Sequence, residues 1–114
     1  MPFEIVWQAR ARQTFDELIA DAQAALDRRG GVGKTSRAEG LFKQVYKCVE
    51  LLRANPRHPG LQTHEYHSLR NPYDPNGKVL EAYVQNRTPG AYRLFWCYGP
   101  HKGQITILAI TPHP

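Results

Sequence analysis

Histidine, arginine and glutamate are the residues on which acid–base or phosphate chemistry would rest in this sequence, and they are unevenly placed. Residues 57–114 hold all five histidines (His58, His64, His67, His101 and His113) with six basic and three acidic residues; residues 1–56 hold nine basic and seven acidic ones. Imidazole is the side chain that titrates nearest neutrality, so proton-transfer chemistry is concentrated in the second half. Arg93 lies within Tyr92-Arg-Leu-Phe-Trp-Cys-Tyr98. Its always-charged guanidinium suits phosphate oxygens, which it can grip in a bidentate fork. A salt bridge to Glu81 is the other reading of Arg93.

Two further motifs suggest chemistry and fail on spacing or context. Gly30-Gly-Val-Gly-Lys34-Thr35 resembles the end of a phosphate-binding P-loop. The first glycine of that pattern would fall at position 28, which is Arg28, and the preceding residues read as a polar-faced helix where a buried strand is required. A flexible turn between helices is expected there, with no nucleotide cofactor. His64-Glu-Tyr-His67 places two histidines three apart in a loop, whereas a helical zinc-protease pair needs them four apart with a glutamate between. No metal and no other cofactor is expected.

The elements that must position these groups follow from periodicity. Phe3, Ile5 and Trp7 alternate as a short strand, and Phe15, Leu18, Ile19, Ala22 and Leu26 then recur at helical spacing, predicting a helix over about 8–28. Gly30, Gly31 and Gly33 end it. Ser36-Arg-Ala-Glu39 has the form of a capping box that starts a second helix carrying Leu41, Phe42, Val45, Cys48, Val49 and Leu52. Asn55-Pro56 closes that helix, and a loop rich in proline, histidine and glycine runs to Asn76-Gly77, with room for a short strand near residues 65–69. Segments 79–85, 92–98 and 104–110 read as strands joined by short turns, hence antiparallel. The expected fold class is α+β, β-α-α-β-β-β, in one domain over residues 1–114, with a helical hairpin on one face of an antiparallel sheet and the other face free. Alternation puts Tyr92, Leu94, Trp96 and Tyr98 toward the helices, and Arg93, Phe95 and Cys97 on the free face.

Composition limits the classes of function. With 114 residues, 41% hydrophobic, and a formal charge of +5, the chain has one core and favours a polyanionic or acidic partner. The beginning lacks the pattern of a signal peptide and no apolar run is long enough to span a membrane. A cytoplasmic protein with no membrane partner is expected, its two cysteines, Cys48 and Cys97, reduced and partly buried.

The run Tyr92-Arg-Leu-Phe-Trp, a short turn, the strand Ile105-Thr-Ile-Leu-Ala-Ile110 and the closing Pro112-His113 together resemble the RelE and HigB branch of the RelE/ParE toxin superfamily. Asn55-Pro56, Pro59-Gly60-Leu61, His64 and Leu69 are similar to that family's link between second helix and sheet. The resemblance implies a RelE-like toxin of a type II toxin–antitoxin system: a metal-independent endoribonuclease that cleaves mRNA on the ribosome and is neutralised by a cognate antitoxin. ParE relatives share the fold and inhibit DNA gyrase without being enzymes, and a non-catalytic RNA- or ribosome-binding module is a third reading.

RNA cleavage of this kind needs a base for the 2′-hydroxyl proton, a cation for the phosphorane and an acid for the leaving 5′-oxygen. The resemblance assigns the cation to Arg93 and acid–base work to His113. Glu65 falls near the loop carboxylate of YoeB-like members, with His64 and His67 as alternative bases. Lys78, Arg70 and Arg87 are candidates for phosphate contacts, and Tyr66 and Phe95 for stacking against bases. His101 is expected to be a turn residue, and Glu65 and His113 have ordinary solvated or terminal readings beside the catalytic ones. RelE itself uses lysines where this sequence has histidines and a glutamate. YoeB-like proteins end His-Tyr, where this sequence has His113-Pro114.

Overall fold

A computed structural model describes residues 2–86 and 88–113. Strand β1 (Glu4–Trp7) leads into helix α1 (Ala9–Arg29) and helix α2 (Arg37–Ala54), followed by a single 3-10 turn (Pro59–Leu61) and strands β2 (His64–Tyr66), β3 (Val79–Tyr83), β4 (Tyr92–Tyr98) and β5 (Gln104–Pro112). Among the described residues no helix is long and apolar enough to cross a membrane.

The helices start and stop where their local chemistry dictates. The Ser36 side chain accepts the Glu39 N–H while the Glu39 carboxylate accepts the Ser36 N–H, a complete capping box. Gly30, at φ 60°, ends α1 in the left-handed region that glycine enters without steric cost. The N–H groups of Gly30 and Gly31 cap α1 through the carbonyls of Asp27 and Leu26, and the Val32 and Gly33 carbonyls accept from Arg29 Nη1. A loop with its first amides engaged in a cap and its carbonyls turned to a cation is the reverse of a phosphate cradle.

Arg29 also clamps the hairpin. Its Nε and Nη2 donate to the two oxygens of Glu39 at 2.9 and 2.7 Å. The Arg29 fork, and then the Ser36 backbone and side chain, hold the Glu39 carboxyl down at about 2, against the opposing effect of desolvation. A depressed folded-state pKa contributes stability that is complete above the unfolded value, about 4.3, and lost as pH falls through the folded value. Glu39→Gln is therefore expected to be less stable than the parent at pH 7, with the gap closing below about pH 4.3 and gone below about 2. Urea midpoints of both chains measured across that range test this; a gap constant down to the lowest pH would contradict it.

The sheet has five strands in the order β1-β5-β4-β3-β2. Four of the expected strands are present, and the short strand expected near residues 65–69 is β2, beginning one residue earlier. The sheet is mostly antiparallel, with a correction at one edge: β1 runs parallel to β5, Glu4 opposite Gln104 and Trp7 opposite Ile107. Periodicity identifies a strand but carries no information about which distant strand it joins.

One face of the sheet meets the hairpin through Ala82, Leu94, Trp96, Ile105, Ile107 and Ile110, packed on Phe15, Leu18, Val45, Val49 and Leu52. This is the face alternation predicts for Leu94 and Trp96. The second face is not fully free, which corrects the expectation: Tyr66 and Leu69 fold back over Val79, Phe95, Cys97, Leu108 and Ala109 as a smaller core. A β-bulge makes this possible. Phe95 pairs with Ala109 and Trp96 with Ile107, so Leu108 is an extra residue in β5. Burial raises the Cys48 thiol to about 12 and the Cys97 thiol to about 11, so neither is a nucleophile at neutral pH.

Candidate active site

The remaining part of the second face, beside the small core, carries the titratable groups. Strand β3 alternates Leu80 and Ala82 toward the helices with Val79, Glu81 and Tyr83 on the other side. Register sets Glu81 opposite His64 of β2, Tyr83 opposite Arg93 of β4, and Arg93 opposite Thr111 of β5. Strands β2, β3, β4 and β5 thus deliver one row of polar side chains across the sheet.

Glu81 is the centre of that row. It is 2% exposed, and a carboxylate so placed requires charge partners. His64 Nε2 lies 2.5 Å from Oε1, while Arg93 Nε and His113 Nε2 lie 3.8 and 3.9 Å from Oε2. His64 Nδ1 is 3.2 Å from the Gln62 carbonyl, so each ring nitrogen faces an oxygen. The two histidines approach different oxygens of one carboxylate, and each side chain is about half exposed, 48% for His64 and 49% for His113. Both are open to a ligand while their orientation is governed from below.

Arg93 is held more tightly than a surface phosphate binder would be. Its guanidinium lies 3.7 Å from the centre of the Tyr83 ring, and Nη1 donates to the carbonyls of Gln85 and Tyr92 at 2.7 and 3.2 Å. Only 10% of its side chain is exposed. Arg93 Nε and Glu81 Oε2 are both buried without a hydrogen-bond partner among the described residues. The two readings of Arg93, ion pair to Glu81 and free-face cation, thus merge: it pairs loosely with Glu81, and Nη2 has no hydrogen bond among the described residues.

His113 is anchored by its backbone. Pro112 is paired with Tyr92, and the His113 N–H donates to the Ala91 carbonyl at 2.8 Å. The reading of His113 as a loose terminal residue is corrected by this extension of β5 two residues past its expected end.

The other candidates fall elsewhere. Glu65, opposite Leu80, alternates away from His64 and lies 3.9 Å from His67 at the sheet edge, apart from the Glu81 cluster. Arg70 and Lys78 line a separate cleft of about 380 Å³ with Glu65, Tyr66 and His67. Phe95 is corrected as a stacking platform: it is 2% exposed beneath Tyr66, whose ring centre is 4.5 Å from its own. The half-buried Tyr66 retains a partly accessible ring. Arg87 lies outside the described residues. His101 occupies the β4–β5 turn, as expected. Local sequence presents Glu81 as a partner for Arg93; the signal for its larger role is an acidic residue that shares one face of β3 with Val79 and Tyr83.

No family model matches the chain, and no curated protein sequence does. Solved structures do resemble it. A YoeB/ParE toxin from Agrobacterium tumefaciens superposes with a TM-score of 0.60 at 7% identity over 97% of this chain and 99% of the other. YoeB from Staphylococcus aureus, solved as a dimer, gives 0.58 at 10% identity over 100% of both chains. RelE from the archaeal RelE–RelB complex of Pyrococcus horikoshii OT3 gives 0.56 at 12% identity over 98% of this chain and 96% of the other. At identities this low the likeness is one of fold: the protein has the α+β fold of the RelE, YoeB and ParE toxins.

Proposed function

We propose that this protein is the toxin of a type II toxin–antitoxin pair and acts as a metal-independent, ribosome-dependent mRNA endoribonuclease that blocks translation. The carrying observation is the convergence of His64 and His113 on different oxygens of the buried Glu81, with Arg93 alongside. The shared fold supports the toxin assignment, and its RelE–RelB neighbour supports an antitoxin as cognate partner.

One imidazole takes the proton from a ribose 2′-hydroxyl, and the oxygen so activated attacks the adjacent phosphorus. Arg93 Nη2 stabilises the charge that develops on the phosphorane oxygens. The second imidazole gives a proton to the departing 5′-oxygen, leaving a 2′,3′-cyclic phosphate and a 5′-hydroxyl. Glu81 positions both rings, in the way a buried carboxylate orients the histidine of a hydrolytic triad; His64 keeps Nε2 on Glu81 and releases Nδ1 from the exposed Gln62 carbonyl to exchange a proton with the RNA. Glu65 and His67, away from this cluster, have a supporting role at most, and Arg70, Lys78 and Arg87 remain candidates for holding the RNA backbone.

The test is to incubate the protein with ribosomes programmed with a defined mRNA, and separately with the same mRNA free of ribosomes, which should stay uncut, and to map the ends. Cyclic-phosphate and 5′-hydroxyl ends from the parent, absent with the His64→Ala, His113→Ala double variant, are expected. Intact mRNA on the programmed ribosomes, or equal cleavage by the variant, would refute the proposal. The tight confinement of Arg93 favours one competitor, a ParE-like non-enzymatic inhibitor; it is identified by intact mRNA together with loss of gyrase supercoiling.

A further inference from the structure

Beside the Glu81 cluster a cavity of about 330 Å³ opens on the same sheet face, between Tyr66, Leu69, Phe95 and Ala109, with Arg10 and Thr111 at its rim. Its floor is the Phe95–Ala109 pair, two residues along the strands from the Arg93–Thr111 pair. Residues two apart on a strand are separated by about 6.8 Å, comparable with the distance from a nucleotide's phosphate to its base. A slot walled by a half-buried tyrosine ring and aliphatic groups, one step from a phosphate-reactive centre, has the shape and chemistry to take a flat ring.

Arg10 supplies the polar end of the slot, and its placement depends on the bulge in β5. The extra residue Leu108 has a carbonyl that accepts the Arg10 Nε–H at 3.1 Å. This bond ties the first turn of α1 to the sheet and fixes the plane of the guanidinium. Nη1 and Nη2 have no hydrogen bond or ion pair among the described residues. An orientated guanidinium with both terminal nitrogens available presents two parallel donors, and such a fork is satisfied by two adjacent acceptors. Guanine offers such a pair in O6 and N7, and unpaired cytosine in O2 and N3. Adenine and uracil set a donor beside each acceptor on those edges.

We infer that the slot between Tyr66, Leu69 and Phe95 is a nucleobase subsite, and that Arg10 is its specificity-determining residue, selecting a base with two adjacent acceptors, guanine or cytosine. The inference rests on the proposed RNA-cleaving function and deepens it. Tyr66, backed by Phe95 beneath it, packs against the base beside Ala109, and Arg10 reads its edge. The base is thereby held while its phosphate lies at Arg93.

The test is fluorescence anisotropy with the full chain and 2′-O-methyl hexauridylates that cannot be cleaved at a 2′-hydroxyl, each carrying one guanine, cytosine or adenine. Guanine or cytosine should bind about tenfold more tightly than adenine, the range of one bidentate pair. Replacing N7 of guanine or N3 of cytosine by carbon should remove the preference of whichever base is favoured and so identify it, without altering the protein. Arg10→Ala should equalise the bases by lowering the affinity for guanine or cytosine to that for adenine. Equal affinities in the parent, or a preference that survives both the carbon replacement and Arg10→Ala, would overturn the subsite. Base-independent binding with cyclic-phosphate ends would leave the cleavage function standing without it; base-dependent binding with no cleavage would keep the subsite and remove the chemistry.

Discussion

Arg93→Ala is expected to destabilise the protein by about 3 kcal/mol, at the lower end of what breaking a buried charge pair costs. The guanidinium is one of three cationic or potentially cationic groups around a carboxylate that is 2% exposed. Its removal leaves His113 as the one charge partner of Glu81 Oε2 among the described residues, strands the Gln85 carbonyl that accepts from Nη1, and uncovers the Tyr83 ring. Each loss has the same sign. The urea midpoint of the Arg93→Ala chain measures the total, and an unchanged midpoint would show that the pair is not part of the folded core. Adding Glu81→Gln to that background removes the stranded charge and should restore part of the loss, so the two substitutions should be clearly non-additive. Loss of activity in Arg93→Ala alone is accordingly a poor measure of catalysis; Arg93→Lys, which keeps the charge, separates folding from phosphate binding.

The second large effect concerns the histidines. His64→Ala and His113→Ala should each lower the rate of RNA cleavage by about 10² to 10⁴, the usual contribution of one acid or base. The His113 ring is about half exposed and 3.9 Å from Glu81, so little stability should be lost with it, whereas His64→Ala takes the 2.5 Å partner from the buried Oε1 and should cost more. The double variant should fall by less than the product of the two singles, because groups that act in one step are not additive. Single-turnover cleavage on programmed ribosomes gives the rates, and thermal unfolding supplies the control. Rates within threefold of the parent for both single variants would remove these residues from the chemistry. Glu65→Gln, by contrast, should leave the rate close to that of the parent, since Glu65 lies with His67 at the sheet edge.

The elements themselves were legible because they are encoded by neighbours in the chain. Ser36 and Glu39 are three residues apart and meet in the first turn of α2, so the capping box could be read directly. Strand alternation separates Arg93 from Leu94 without any knowledge of what either touches. The same logic put Phe95 on the correct face and yet misjudged it as a stacking surface. Alternation determines a side, whereas the cover over Phe95 comes from Tyr66, a residue from another strand.

Taken alone, the sequence determined the α+β order of elements, the helix caps, the face of the sheet that meets the hairpin, the place of Arg93 on the opposite face, and the concentration of all five histidines in residues 57–114. Tertiary structure decided how they meet. His64 comes to Glu81 through the β2–β3 register, His113 reaches the same carboxylate because β5 continues alongside β4, and Arg10 finds Leu108 98 residues away through a bulge. Those contacts depend on strand register and on which strands become neighbours. A one-residue slip in either would send the side chains to the opposite face, and local periodicity holds no record of that choice.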